Sequence, residues 1–401
     1  MDSPKRILLI NQYFAPSEAA TAVLLRELVE DLSHSMRVTV LCETAVNGEE
    51  LSNSYNVESR PMPAWIPAER AVASKALRWL SSFLFIARAV FFLSVSKPYD
   101  LVVLASEPPF IDLFGGFMCW CLKRPFVVIT QDLYPEFAEG VGLQPVALCA
   151  WPLKKMHSFV ARKAKRIIAV SSDHVELLAR RGVVTETVIH NWAPSMVSDT
   201  EPLPMPSADG PIVIQYAGNL GLACDLDALE VALKELTAKG EMSNFQFILR
   251  GDGVKREQAL RIAGQYENVV HQPPVARSEV LAAMAACHAH LILTPARLFG
   301  CVYPSKVYSI MAAARPIIAS VPRASRMSGF IASHRVGYVS PAEDPAQLAS
   351  CLLRSLRDLR DTPSVLSEMG ARGWRYVSQE WNREKATSRY EAEFRQVLSR
   401  E

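Results

Sequence analysis

The 401-residue chain carries only eight cysteines, and they are scattered. Cys119-Trp120-Cys121 brings two together without the spacing of a zinc ligand set or a disulfide framework, so the expectation is buried, reduced thiols in a cytosolic protein. No H-E-x-x-H, no phosphate-binding P-loop and no G-x-S-x-G elbow occurs, which removes the common routes to a metalloprotease, a P-loop nucleotidase and a serine hydrolase. Cys287-His288-Ala289-His290 is no metal pair either, because alternate positions entering a strand send the two imidazoles to opposite faces. Charge of one sign is also missing overall: 43 Lys and Arg against 41 Asp and Glu leave a net charge of +2, with no nucleic-acid footprint and no disorder signature. Lys5-Arg6 runs straight into apolar Ile7–Ile10, which reads as a strand and carries the expectation that no signal peptide precedes it.

Half of the residues are hydrophobic, enough for two domains that each bury a core. Short apolar runs at residues 6–11, 38–43, 101–106, 126–131, 166–171 and 187–190 alternate with amphipathic stretches such as 22–32 and 153–165. Continuous Ile, Val and Leu of this kind is what a parallel sheet buried on both faces requires. Residues 193–211 turn to Pro, Ser, Asp and Met without periodicity, a linker. A second alternation follows at 212–218, 245–251, 269–272, 290–295, 316–321 and 337–341. The expected fold class is therefore α/β, two doubly wound Rossmann-like domains (1–192 and 212–371) facing a cleft, with ligands at the carboxyl ends of the strands. Residues 372–401 form a long helical pattern carrying Trp374, Val377, Trp381, Tyr390, Phe394 and Val397.

The most informative stretch runs from Cys301 to Ser320. A helix of small residues ends at Arg315-Pro316, where proline cannot continue it, and an apolar strand follows at once. Before the helix, Pro304-Ser305-Lys306 combines a fixed entry, a hydroxyl placed for capping, and a cation where the dipole disfavours one unless an anion is bound. Gln215-Tyr216-Ala217-Gly218-Asn219-Leu220-Gly221 is a glycine-bearing strand-to-helix turn that would let a ligand approach backbone N–H groups. Arg250, before Gly251-Asp252-Gly253, and Arg297 sit at or beyond strand ends of the second unit and are further candidate cations. In the first unit, Ser106 and Glu107 follow one strand, and Gln131-Asp132-Leu133-Tyr134-Pro135-Glu136 follows the next. Asp132 and Glu136 either orient or deprotonate an acceptor hydroxyl, or only cap the turn they flank.

These strings, with Tyr13-Phe14-Ala15-Pro16-Ser17-Glu18 and Asn191-Trp192, occur in the order in which they stand in glycosyltransferase family 4, the retaining GT-B enzymes. The chain resembles in particular a branch acting in bacterial surface-polysaccharide, O-antigen or colanic-acid biosynthesis, with its Y-A-G-N-L-G loop, P-S-K helix start and Q-D-x-Y-P-E string. The resemblance implies a hexosyl or N-acetylhexosaminyl transferase that needs no metal or other cofactor and retains anomeric configuration. The donor would be a nucleotide-sugar, UDP-linked ahead of GDP-linked, and the acceptor a polyprenyl-diphosphate-linked or other glycan. It implies donor binding by Gly218, Asn219, Gly221, Arg250, Arg297, Ser305, Lys306 and Ser309, catalytic roles at Asp132 and Glu136, and acceptor contacts at Glu18 and Ser106. It also implies that the final helix crosses back to the first domain. The family's two glutamates, eight residues apart, are replaced here by Cys301 and Ser309, and its arginine and lysine by Asn219 and a residue near Cys224. Those losses leave open a non-catalytic GT-B binding partner, and the fold alone a soluble GT-B sugar-nucleotide epimerase.

From Arg70 to Tyr99 the chain has no acidic residue but five cations, among them Arg78 and Arg88, interleaved with Trp79, Phe83, Phe91 and Phe92. The two arginines leave no uncharged run near the ~20 residues a spanning helix needs. An in-plane helix on an anionic surface is the expectation, with Arg78, Trp79, Phe83, Arg88, Phe91 and Phe92 as contacts on the inner face of the cytoplasmic membrane; the alternative is a core helix covering the first sheet.

Overall fold

The computed structural model describes residues 4–15, 17, 19–43, 56–59, 75–143, 146, 148–194, 202–207 and 209–399, with only the backbone of 56–59 and 75–78. Two compact units emerge: Met1–Asn191 with Arg383–Glu401, and Trp192–Asn382.

The first unit is built on strands β1 (Arg6–Ile10), β2 (Arg37–Cys42), β3 (Asn56–Ser59), β4 (Leu101–Ala105), β5 (Phe126–Thr130) and β6 (Arg166–Ala169). All pair in parallel, in the order β3-β2-β1-β4-β5-β6. Helices α1 (Ala20–Leu32), α2 (Lys75–Val95), α3 (Ile111–Cys121), α4 (Glu136–Gly140), α5 (Ala150–Ala161) and α6 (Ser172–Arg180) connect them. β4 and β5 are buried along their whole length, as their unbroken apolar sequence demands. The run at 187–190 makes a single bridge, Val188 to Ala169, and not a strand. Conversely β3 carries too little apolar sequence to announce itself and forms because β2 offers it a parallel edge.

The second unit repeats the plan with β7 (Ile212–Ala217), β8 (Phe245–Arg250), β9 (Val269–Gln272), β10 (Ala289–Leu293), β11 (Ile317–Val321) and β12 (Gly337–Pro341), in the order β12-β11-β10-β7-β8-β9. Helices α7 (Leu226–Ala238), α8 (Arg256–Gln265), α9 (Val280–Ala285), α10 (Lys306–Ala312), α11 (Arg326–His334), α12 (Ala346–Asp361) and α13 (Ser364–Gln379) surround the sheet. On α12, Leu348, Leu352, Leu356 and Leu359 recur at helical spacing and close one core over Phe245 and Phe247. In each unit the strand order reverses beside the first strand, between β1 and β4 and between β7 and β10, which is where doubly wound sheets present their ligand crevice.

The helical pattern after residue 372 is two helices, not one. α13 stops at Gln379, Asn382 Nδ2 donates to the Ser378 carbonyl at 2.8 Å, and α14 (Arg383–Leu398) starts afresh. α14 belongs to the first unit and packs on α1. Its Arg383 forks onto Asp31 at 2.6 and 3.0 Å and reaches Glu30, while Ser35 donates to Glu391.

Residues 202–207, inside the predicted linker, are pinned to the second unit by Arg315, which is 1% exposed. Its guanidinium donates to the carbonyls of Leu203, Pro204, Ala285 and Cys287. Burial lowers this group to about 10, and a complete ring of carbonyl acceptors keeps it charged at neutral pH.

Candidate functional site

β7 ends at Ala217, and Gly218 takes φ 130°, open to glycine alone. The backbone ladder continues past the strands: Gly218 N–H donates to Arg250 O (3.0 Å), Leu220 N–H to Asp252 O (2.8 Å) and Lys255 N–H to Leu220 O (2.9 Å). Gly251 is equally obligatory, since a Cβ there would collide with the Gly218 carbonyl oxygen. The Gly218 loop and the Gly251-Asp252-Gly253 turn are thus one rigid platform. Asp225 caps α7 by accepting from Ala228 N–H, so the start of that helix already has its anion.

Lys306, the first residue of α10, is half-buried with its Nζ 3.4 Å from the Tyr216 ring centroid and close to Gly218. Desolvation lowers its ammonium to about 8, with Cys224 pulling slightly the other way. Tyr216 donates its hydroxyl to Asn219 O at 2.8 Å, and the Cys224 thiol is raised mainly by burial, so it stays protonated beside the lysine. A second cation arrives from the adjoining turn: Lys255 Nζ donates to the Cys224 carbonyl. The position near Cys224 where the resemblance implies a lysine therefore has an ammonium nearby, carried two residues after Gly253.

The other second-unit candidates are less well placed for a ligand. Arg250 is tied to Gln272 and reaches the Pro273 carbonyl at 3.5 Å. Arg297 is exposed on a single 3-10 turn after β10. Ser305 occupies the cap position of α10 but is itself helical (φ −62°, ψ −19°), so its hydroxyl makes no capping bond. Asn219 and Gly221 sit on the platform, with the Asn219 side chain closing over Gly221. Ser309 is half-buried one turn beyond Lys306, and Cys301 is buried, its thiol donating to Leu298 O at 3.3 Å.

In the first unit, Ser106 is buried and its Oγ accepts from the backbone N–H groups of Gln131 (2.7 Å) and Asp132 (3.3 Å), stitching the exits of β4 and β5 together. Glu136 pairs with Arg181, while Lys154 lies 3.9 Å from it and 2.5 Å from Glu139. Arg181 also donates to Tyr134 O and contacts His157, whose Nε2 is 2.6 Å from Asp112. Burial alone would raise the Asp112 carboxyl, yet His157 first, then the Leu113 N–H and last Arg181 hold it below the usual carboxylate range. No local pattern announces this chain of charges, because the Asp112–His157 and His157–Arg181 contacts span 45 and 24 positions of sequence. Another polar cluster lies at the carboxyl ends of β1 and β2. Gln12 Nε2 donates to Glu43 (2.6 Å) and to Ser81 of α2 (2.8 Å), and burial raises the Glu43 carboxyl.

α2 does cover the sheet, through Phe85, Ile86, Ala89 and Leu93, and it also carries an outer apolar stripe with Phe83 and Phe91 exposed. Trp79, Arg88 and Phe92 are half-buried. Ser81 is the polar position that α2 turns inward, toward Gln12 and Glu43. Glu18 and the side chain of Arg78 lie outside the described residues. Among the described residues no helix is long and apolar enough to cross a membrane, and no cluster of His, Cys, Asp or Glu could hold a metal ion.

Comparison with known proteins agrees with this architecture. A family model described as "Glycosyl transferase 4-like domain" matches residues 18–192, and one described as "Glycosyl transferases group 1" matches 211–358. A curated relative, the probable glycosyltransferase WbjE of Pseudomonas aeruginosa, is 22% identical over 360 residues, 86% of this chain and 88% of that one. Among solved structures, HepE of Anabaena in complex with UDP and glucose superposes with a TM-score of 0.68 at 14% identity, covering 98% of this chain and 100% of that one. Sucrose-phosphate synthase of Thermosynechococcus elongatus reaches 0.71 at 16% identity, over 99% and 100%. With both halves matched by the two domains of a single enzyme architecture, the chain belongs to the family 4-like glycosyltransferases of the GT-B fold.

Proposed function

We propose that this glycosyltransferase moves a sugar from a UDP-sugar to a polyprenyl-diphosphate-linked glycan at the cytoplasmic face of the membrane, in surface-polysaccharide assembly. The observation that carries the donor half is the platform of Gly218 and Gly251 with the Lys306 and Lys255 ammonium groups beside it, at the reversal of strand order. Two fixed cations next to glycine backbone suit a diphosphate. Relatives of the same fold support UDP over GDP, since HepE has been crystallised with UDP and with UDP-glucose.

Transfer would proceed with retention, and without a metal, because the charge that develops on the leaving diphosphate meets ammonium groups already in place. Ser309 would offer the ribose one hydroxyl where the family offers a carboxylate, so the diphosphate supplies more of the affinity. Asp132 and Glu136 are proposed on the acceptor side. Glu136, held between Arg181 and Lys154, is suited to orienting a hydroxyl. The outer aromatic stripe of α2 supports action at a membrane surface.

Calorimetric titration of UDP, UDP-glucose and GDP, with and without EDTA, tests the donor half. Saturable UDP binding that survives EDTA is expected; a strict requirement for Mg²⁺ or Mn²⁺ would refute the site. Transfer of labelled sugar from UDP-sugars to a polyprenyl-diphosphate glycan tests the acceptor half.

A further inference from the structure

We propose that the bilayer-docking surface of this protein is the joint outer face of α2, α3 and α5, and that it takes an anionic lipid surface. This deepens the membrane reading above and rests on it for the kind of partner. α2 packs on α3 and α3 on α5, so the three helices form one layer on the first unit. Gly116 lets them close up, since a Cβ there would press into Val160 and Phe126.

Each helix turns a stripe of large apolar side chains outward. On α2 these include Phe83 (53% exposed) and Phe91 (66%); on α3, Phe117 (46%) and Trp120 (42%); on α5, Trp151 (72%) and Phe159 (40%). The α3 and α5 stripes touch: Trp120, 5.7 Å from the Phe117 ring on its own helix, meets Phe159 edge-on at 5.3 Å. A soluble monomer rarely leaves so many neighbouring aromatics in water.

Charge chooses the occupant. Across α2, α3, α5 and the turn to β6, the only acidic residue is Asp112, which is buried and bonded to His157. The exposed charges of α3, α5 and the turns that follow them are cationic: Lys123, Lys155, Arg162, Lys163 and Lys165. Lys155 lies over the Trp151 ring at 5.9 Å, and Lys163 over Phe159 at 5.2 Å and Trp120 at 5.9 Å. Trp151, Lys155, Phe159 and Lys163 repeat every four residues, so tryptophan, aromatic ring and ammonium stand on one line. Rings at headgroup depth with lysines reaching phosphate is the pattern of an in-plane membrane contact. A second copy of this face would set like charges against each other across a two-fold axis, which disfavours a dimer.

The test uses the full chain and co-sedimentation with phosphatidylcholine vesicles, with and without phosphatidylglycerol. One variant carries Trp120→Ser, Trp151→Ser and Phe159→Ser, a second Lys123→Glu, Lys155→Glu and Lys163→Glu, and a third Phe83→Ser and Phe91→Ser on α2. Wild type is expected to bind the anionic vesicles, with partitioning about tenfold or more weaker in the first two variants while UDP affinity stays unchanged. The charge-reversed variant keeps the aromatic packing, so it decides the matter if the serine variant fails to fold. Should wild type bind and both α3–α5 variants bind equally well, the inference is overturned while the membrane reading stands on α2. Wild type that binds neither vesicle sinks the membrane reading itself. A dimer in sedimentation analysis that these substitutions dissolve would assign the face to a second copy and overturn the inference too.

Discussion

The Lys306 ammonium stands 3.4 Å from the centre of the Tyr216 ring, which places a cation over an aromatic face at the exit of β7. The ring attracts the charge while its surroundings withhold water, so the lysine is held ready but under-solvated. An anion that reaches Gly218 relieves that deficit.

Lys306→Ala should weaken UDP binding by roughly ten- to a hundredfold, since a charge-assisted phosphate contact contributes on the order of 1.5–3 kcal/mol. Lys306→Arg should keep only part of the affinity, because a guanidinium fork does not copy an ammonium. Calorimetry on the folded variants checks both, and unchanged affinity in Lys306→Ala would remove the lysine from the site.

The same group gives a pH dependence. With its pKa near 8, Lys306 is charged at pH 7 and loses its charge above pH 8, so the UDP dissociation constant should be flat below that point and rise above it. The stability of the unliganded protein should move the opposite way. Between about 8 and 10.5 the unfolded chain holds a proton that the folded chain has released, so folding stability rises with pH there. Titrations from pH 6.5 to 9.5 against Lys306→Met separate this lysine from other groups; a wild-type profile as flat as the variant's would contradict the assignment.

Ser309→Glu puts a carboxylate one turn into α10, where the family carries one. If the nucleotide ribose lies there, UDP should bind about tenfold more tightly, the value of one added hydrogen bond to a charged group. Equal or weaker binding, with UDP competing at the same site, would move the ribose elsewhere.

Arg315→Met should destabilise the protein by about 3–5 kcal/mol, because Leu203, Pro204, Ala285 and Cys287 all lose the donor that satisfies their carbonyls. Arg315→Lys should recover little, since three donors cannot serve that ring. Urea unfolding reads the difference.

His157→Ala leaves the Asp112 carboxylate buried opposite a void and should cost about 3–5 kcal/mol, whereas Asp112→Asn combined with His157→Gln should cost much less. If the double variant is as unstable as the single one, the pair is packing and not electrostatics.

Much of this was open to reading along the chain. Continuous apolar runs gave the strands of both sheets, except where β3 depends on a neighbour for its existence and where 187–190 makes only a bridge. The glycine platform and the Lys306 helix were legible because both are local strings. Lys255 was not, for its role depends on the β8 exit folding against the β7 exit, and sequence distance hides that. Arg315 read as half of a helix stop because nothing nearby reveals that its side chain turns inward.

The sequence by itself determined the family, the doubly wound plan and the glycine turn after β7, since periodicity and short motifs are properties of neighbours in the chain. Only the tertiary structure decided which charges meet. Asp112, His157, Arg181 and Glu136 come from four separate helices or their flanks, and the aromatic stripes of α3 and α5 join only once Gly116 lets those two helices pack. Coulomb and contact energies depend on separation in space, and the strand order that folds distant residues together sets that separation.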